Sequence, residues 1–445
     1  VLLISSYDIF GGKSLLPLKQ EEFATTDSQT ASLKTSQAVS HAIAFTGMWL
    51  FGDFLPKKIA FLASMVLWIL LSLSATLVTS HQFWLYVVLH ALASVSAEVF
   101  RILVNVLQAE HFKGKYLTGA ITAGYLGNVV AVQASSTINS IFVSNHGNWR
   151  WGALIGPVLS IPVLILSAIF LRSKARESLP KPVEIFRNAL GVLRIPTFLL
   201  ISFSQCFTMF YSLPLSFWMS TLTLLTFENF PSAFLGVSYP VVSSLTTSMS
   251  VVGMAIGAFL LPYAAQSLES GSGMFSCLPA TPLAFAIFYA FSSALETLSY
   301  ITQLIMMTTS LPLFAAGFFM DGLAGSGIQL FNLQITLIVA PSNKCASALS
   351  LLRLMTAIGD LPSAQIIAAI SDYFRGDSTD PVDRLNGLRK AFLYTWFMPV
   401  VSTIMCFVVL RFYKRDVEKA REIDQIDDEE KTPLLTEKSS VQNFS

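Results

Sequence analysis

The sequence predicts an all-α membrane protein of twelve transmembrane helices, the first one truncated, arranged as two six-helix bundles. Three observations predict it. Hydrophobic residues make up 53% of the 445 and charged residues only 12%, too few charges to coat a water-soluble particle of this size. Apolar stretches near the twenty residues that cross a bilayer core recur from end to end. They divide six and six about the most polar internal stretch, 172–196.

The first six spans are placed at 1–18, 36–54, 59–79, 83–107, 117–143 and 149–171. The second six are placed at 197–225, 241–261, 274–298, 311–340, 347–372 and 391–413. Barrel strands would be shorter and would alternate in polarity, so these lengths read as helices. The organisation expected is an N-terminal bundle over 1–171, a cytoplasmic linker over 172–196, a C-terminal bundle over 197–413 and a disordered cytoplasmic tail over 414–445. The chain opens with Val1 rather than Met, so the start of the first helix and an upstream tail are expected to be missing.

Basic residues set the orientation. Lys57 and Lys58, Lys113 and Lys115, the six lysines and arginines of the central joint, and Arg411, Lys414 and Arg415 all fall on one side if the spans alternate. That side is read as cytoplasmic. The joint at 374–390 dissents, carrying Arg375, Arg384, Arg389 and Lys390 on the opposite side. A net charge of +1 gives no reason to expect nucleic acid. The four cysteines are scattered among spans and joints, so neither a disulfide nor a metal cluster is expected. No nucleophile–base pair or metal-ligand set can be assembled, and no cofactor motif occurs, which argues against an enzyme.

Gly52-Asp53-Phe54-Leu55-Pro56-Lys57-Lys58 closes the second span and opens the third. A carboxylate in that turn can face the positive N-terminal end of a neighbouring helix. Gly-Asp, three residues and two basic residues resemble the loop between helices two and three of the major facilitator superfamily. That resemblance implies a cytoplasmic latch made by Gly52, Asp53, Lys57 and Lys58. The basic residue the family usually has after the Asp is Phe54 here.

Ionisable side chains inside spans are costly and face the bundle interior by default. They include Asp8, Lys13, His41, His90, Glu98, Arg101, Asp321, Arg353 and Asp360. Glu98 and Arg101, three residues apart, share a helix face and either neutralise each other or serve transport. Lys13 and Arg353 are long enough to snorkel. Asp8 stands nine residues before Pro17, about 14 Å of helix rise, and so near mid-membrane.

Ser6-Tyr7-Asp8 with Pro17 is similar to the first helix of the Spinster family of lipid transporters. Gly359-Asp360-Leu361-Pro362 is similar to that family's eleventh helix, and Asn148-Trp149-Arg150-Trp151 to its approach to helix six. Asp321 falls where the family has a Glu in helix ten. The matches run in order along the whole chain. The family's helix-four Arg and Glu fall at His90 and Ala97, with Glu98 one residue out of register.

The resemblance implies a lipid substrate such as a lysophospholipid or sphingoid base, moved by alternating access with or without protons. Asp8 is then the proton-responsive carboxylate, with His90 as partner and Glu98, Arg101 and Asp321 as further candidates. Gly359 and Asp360 form a hinge or gate. Within the tail, Glu430, Leu434 and Leu435 resemble a dileucine signal read by clathrin adaptors, in keeping with a lysosomal or late endosomal membrane or with the plasma membrane. A monomer is expected. Two rivals stand: a carrier of a small polar solute, kept alive by Arg101 and Asn105, and a transport-dead protein that recruits partners through its tail.

Overall fold

The computed structural model describes residues 15, 19, 22–24, 27–113, 115–144, 148–171, 190–237, 239–277, 279–341, 344–376, 378 and 380–442. The described chain is helical almost throughout. The N-terminal bundle contains α1 (Asp27–Phe51), α2 (Lys57–Thr76), α3 (Phe83–His111), α4 (Lys115–Ser144) and α5 (Trp149–Phe170). The C-terminal bundle contains α6 (Pro196–Asn229), α7 (Tyr239–Ser270), α8 (Ala284–Met306), α9 (Leu311–Val339), α10 (Cys345–Arg375), α11 (Pro381–Tyr394) and α12 (Phe397–Gln442). Nine membrane-length apolar helices are found among the described residues. The expected first span, with Asp8 and Lys13, lies outside the described residues apart from Leu15, as does most of the linker.

Helix starts follow local chemistry. Asn148 caps α5 by accepting a hydrogen bond from the Arg150 amide at 3.0 Å. Asp380 does the same for α11, accepting from the Val382 amide at 2.8 Å. Pro196 and Pro312 sit in the first turns of α6 and α9, where the missing amide proton costs nothing.

Three expected boundaries shift. The span placed at 274–298 begins at Ala284, because Gly271 and Gly273 turn the chain with positive φ and a short 3-10 turn follows. The span placed at 391–413 is divided: α11 ends at Tyr394 and α12 starts at Phe397. The basic joint at 374–390 is largely α11, a helix laid on α6 and α10. Two of its arginines are engaged, Arg375 with Asp372 at 3.1 Å and Arg389 with the Leu304 carbonyl at 3.2 Å.

Composition also predicts disorder from Lys414, yet α12 continues to Gln442. Its first turns past the membrane belong to the core: Asp416, Val417 and Ala420 are buried. Asp416 accepts a hydrogen bond from the Thr197 amide at 2.9 Å and so caps the start of α6. The rest of the stretch is rich in Glu, Lys and Arg, which are good helix formers.

Large apolar side chains such as Trp84, Phe170, Phe259, Phe291 and Phe407 face outward, as expected where the solvent is hydrocarbon. Inside the N-terminal bundle, Arg150 ties α5 to the end of α2. It donates to the Thr76 carbonyl at 2.8 Å and the Val78 carbonyl at 2.7 Å, and pairs with Glu22. This accounts for the Trp-Arg motif as an anchor.

The two bundles meet along two seams, α10 against α1 and α3, and α7 with α9 against α4. Inside the C-terminal bundle, α7 and α9 touch backbone to backbone. A side chain at Gly253 would strike the Phe319 carbonyl, one at Gly257 would strike Ser326 and Leu323, and one at Gly322 would strike the Ser250 carbonyl. Small residues permit this approach in membranes. Gly257→Ala should therefore destabilise the protein by roughly 1–3 kcal/mol. Gly325→Ala, where the added methyl meets open space, should hold or raise stability. Thermal midpoints of the detergent-purified variants check both, and equal midpoints would refute the packing argument.

Candidate functional site

Of the four residues expected at the latch, Gly52 and Asp53 meet the other bundle. Gly52–Pro56 leaves the end of α1 without a side chain at Gly52, where a methyl would press on Met48 and Ala346. That closeness brings Asp53 onto the first turn of α10. Its two carboxylate oxygens accept from the Ala346 amide at 2.8 Å and the Ser347 amide at 3.1 Å. Ser347 in turn donates from Oγ to the Trp49 carbonyl at 2.8 Å. An anion on a helix N-terminus meets unpaired amide groups and the positive end of the helix dipole together. Burial pushes the Asp53 carboxyl up, and the hydrogen bonds from Ser347 and Ala346 and the nearby Lys57 oppose it.

Lys57 forms an ion pair with Glu110 at the end of α3, within the N-terminal bundle. Apolar packing seals the same end: Met48, Phe61 and Leu107 share one buried cluster with Leu337, Cys345, Ala346 and Leu349 of the other half. The two bundles are closed on each other here.

Further along the same seam lies a group of charges. Glu98, buried on α3, pairs with Arg101 at 2.9 Å and approaches His41 Nε2 of α1 at 3.7 Å. His41 is also within electrostatic reach of Asp360 and Arg353 of α10. Arg353 in turn acts on Glu98 and Arg101. Its side chain is solvent-exposed in the seam, and it forms no ion pair among the described residues. Five ionisable groups from three helices and both halves thus converge in the seam.

His90 lies on the outer side of this group. It stacks on Tyr86, with ring centroids 5.9 Å apart and planes at 9°. Lys19 stands over Tyr86 and Trp149, at 5.4 and 5.2 Å from the ring centroids. The expected partner Asp8 is outside the described residues. Asp321 belongs to a different group. It lies within electrostatic reach of Glu296 of α8 and Tyr125 of α4, and Tyr300 donates to Glu296 at 2.7 Å. Gly359 packs against the Cys206 carbonyl of α6. Glu430, Leu434 and Leu435 fall on the last stretch of α12, and their side chains are outside the described residues.

A family model described as Major Facilitator Superfamily matches residues 1–359. The chain belongs to that superfamily. It is therefore a multi-pass membrane transporter rather than an enzyme, with the all-helical major facilitator fold. Within the superfamily it is similar, at low identity, to Spinster proteins. It is 19% identical to protein spinster homolog 1 of Xenopus laevis, over 95% of this chain and 81% of that one. It is 20% identical to the sphingosine-1-phosphate transporter SPNS2 of Xenopus tropicalis, over 92% and 79%. The solved structure of a bacterial homologue of the human lysosomal transporter Spinster superposes with a TM-score of 0.54 at 15% identity, covering 93% of this chain and 96% of that one.

Sequence reasoning missed Glu296, since the span drawn to residue 298 put it at a membrane edge. In α8 it is central, and counting every ionisable residue in a correctly placed span would find it. Arg353, read as able to snorkel, instead stands in the seam. His41 was noted among the buried charges but not chosen, because its neighbours come from other helices.

The latch is testable through Cys345, a free and buried thiol beside Asp53. Removing an anionic cap costs about 1 kcal/mol, a shift of roughly fivefold in the opening equilibrium. Asp53→Ala, in a background with Cys277→Ser and Cys206→Ser, should raise maleimide labelling of Cys345 by about that factor. Unchanged labelling would show that the carboxylate does not hold the seam shut.

Proposed function

We propose that this transporter carries an amphiphilic lipid, a lysophospholipid or sphingoid base, by alternating access between its two bundles. The observation that carries the reading is the convergence of His41, Glu98, Arg101, Arg353 and Asp360 between the halves. Charges of both signs in a largely apolar seam suit a substrate with a charged or zwitterionic head and a hydrocarbon tail. Buried charge of this kind is costly unless it is used. Arg353, exposed in the seam, is the group for a phosphate, which a guanidinium grips with two parallel hydrogen bonds. The name of the Xenopus tropicalis relative supports the same substrate class.

Proton coupling in this reading belongs to Asp8 with His90, and to Glu98 and Asp321, the last with Glu296 beside it. Gly359 and Asp360 serve the gate on α10, while Gly52, Asp53, Lys57 and Lys58 hold the cytoplasmic end. The protein works as a monomer in a lysosomal, late endosomal or plasma membrane. Glu430, Leu434 and Leu435 supply a sorting signal for a clathrin adaptor.

Flux from vesicles reconstituted with the full chain tests the proposal. A fluorescent lysophospholipid or sphingosine phosphate should move, and glucose should not. Movement of glucose alone would favour the small-solute reading, and no flux of any kind the transport-dead one. Arg353→Gln should slow a phosphate-bearing lipid on the order of tenfold while sparing uncharged lipid more, since a lost charge-assisted hydrogen bond removes about 1.5–3 kcal/mol. Equal loss for both would remove Arg353 from head-group binding. Asp8→Asn and Glu98→Gln should flatten the pH dependence of flux. An unaltered pH profile in both would end the proton assignment.

A further inference from the structure

His41 of α1 stands in the seam with one ring nitrogen unused. Its Nε2 is buried, lies 3.7 Å from the Glu98 carboxylate and has no hydrogen-bond partner among the described residues. That separation is too long for a hydrogen bond. The ring is not sealed off, since 24% of the side chain stays accessible. Phe45, one turn further on, flanks it with 5.9 Å between ring centroids.

The charges that face His41 come from the two helices packed on α1, α3 and α10. From α3 they are Glu98 and Arg101, with His90 further out. From α10 they are Asp360 and Arg353. Two carboxylates and two guanidiniums balance, so these described charges sum to zero while His41 is neutral. Net charge of either sign is costly in such a place.

An anionic head group changes the sum. The lipid reading puts its phosphate on Arg353, which is exposed in the seam. Arg101 keeps 22% of its side chain accessible and lies within electrostatic reach of Arg353. A phosphate held by this pair competes with Glu98 for Arg101, now 2.9 Å from it, and adds a negative charge. Glu98 then needs a new partner, and the imidazole beside it is able to become one by gaining a proton.

We propose that His41 takes up one proton when a net-anionic head group enters the seam, and that the imidazolium, paired with Glu98, supplies the cation this head group lacks. The proton comes from water in the seam. A zwitterionic head group carries its own cation and brings no proton with it. The lipid does not have to reach the buried Nε2, because Glu98 is the group that meets it. This inference rests on the lipid reading above and adds His41 to the residues that carry protons.

Two lipids that differ in the one relevant charge test it. Lysophosphatidylglycerol and lysophosphatidylcholine share a phosphodiester, and only the second adds an ammonium. Their binding to the full chain in phosphatidylcholine nanodiscs is measured at about pH 8 and about pH 5.5, on either side of the ordinary imidazole range. Binding that takes up a proton strengthens as pH falls. The affinity for lysophosphatidylglycerol should rise about tenfold at the lower pH, the equivalent of about one unit in the proton affinity of His41, while that for lysophosphatidylcholine stays level. His41→Gln should abolish the rise. His41→Arg, whose charge is fixed, should bind lysophosphatidylglycerol without pH dependence and, at the higher pH, about tenfold more tightly than His41→Gln. An equal rise for both lipids, or a rise that persists in both variants, would overturn the proposal. Binding of both lipids with no rise in the native chain would overturn it and leave the lipid reading standing. Binding of neither lipid at either pH would overturn the lipid reading and this inference with it.

Discussion

The closed seam depends on a carboxylate set against the start of a helix. Asp53 accepts from the first amides of α10, which otherwise would be buried with nothing to receive their protons. The cap crosses from one bundle to the other, so its energy counts toward closure as well as toward the helix. The glycine before it lets α1 come close enough, and the apolar cluster around Cys345 removes competing water. Asp416 plays a related part within the C-terminal bundle, capping α6 from α12. In both places a side chain from a later or earlier helix completes a backbone end, which is how a helical membrane protein ties its ends without strands.

Both helices that meet at Asp53, α1 and α10, also contribute to the charge cluster, which α3 completes. His41 and Asp53 are twelve residues apart along the end of α1, and Ala346 and Asp360 fourteen apart on α10, about 18–21 Å of helix rise. A ligand that rearranged His41, Asp360 and Arg353 would act on the same two helices that meet at Asp53. A ligand shifts such an equilibrium only by its difference in affinity for the two states. His41 of α1 and Asp360 and Arg353 of α10 face each other across the seam, so their mutual interaction is lost if α10 leaves α1. A cap of about 1 kcal/mol and a few charge contacts are of the size that a bound ligand can offset.

Much of this architecture was legible in the sequence, for identifiable reasons. The all-helical class and the order of the spans came from hydropathy, which is a one-dimensional property. The contact of Asp53 with α10 could be anticipated because a carboxylate in that short turn can face the positive end of a neighbouring helix. Glu98 with Arg101 could be read because three residues on a helix make a face. What failed were features made by distant residues or by turns. Positive φ at Gly271 and Gly273 moved the start of α8 by ten residues from the expected 274, and with it Glu296 went from an edge to the centre. The helix past Lys414 was hidden because composition does not show that Asp416 has an amide waiting for it on α6. The pairing of His41 with Glu98 links α1 with α3, and no spacing in the chain encodes it.

The departures from the family pattern acquire a physical meaning in this light. The turn lacks the usual basic residue after Asp53, and Phe54 takes its place. Lys57 instead pairs with Glu110, which fastens the N-terminal bundle to itself rather than to its partner. Closure at this end therefore leans on the Asp53 cap and on apolar contact, and less on ion pairs across the seam. Ion pairs weaken with salt over a Debye length, whereas a buried cap and a hydrocarbon seal do not. A carrier built this way keeps its closed state across ionic conditions. Opening must then break the Asp53 cap and the apolar contact around Cys345 together, because both lie in the one seam.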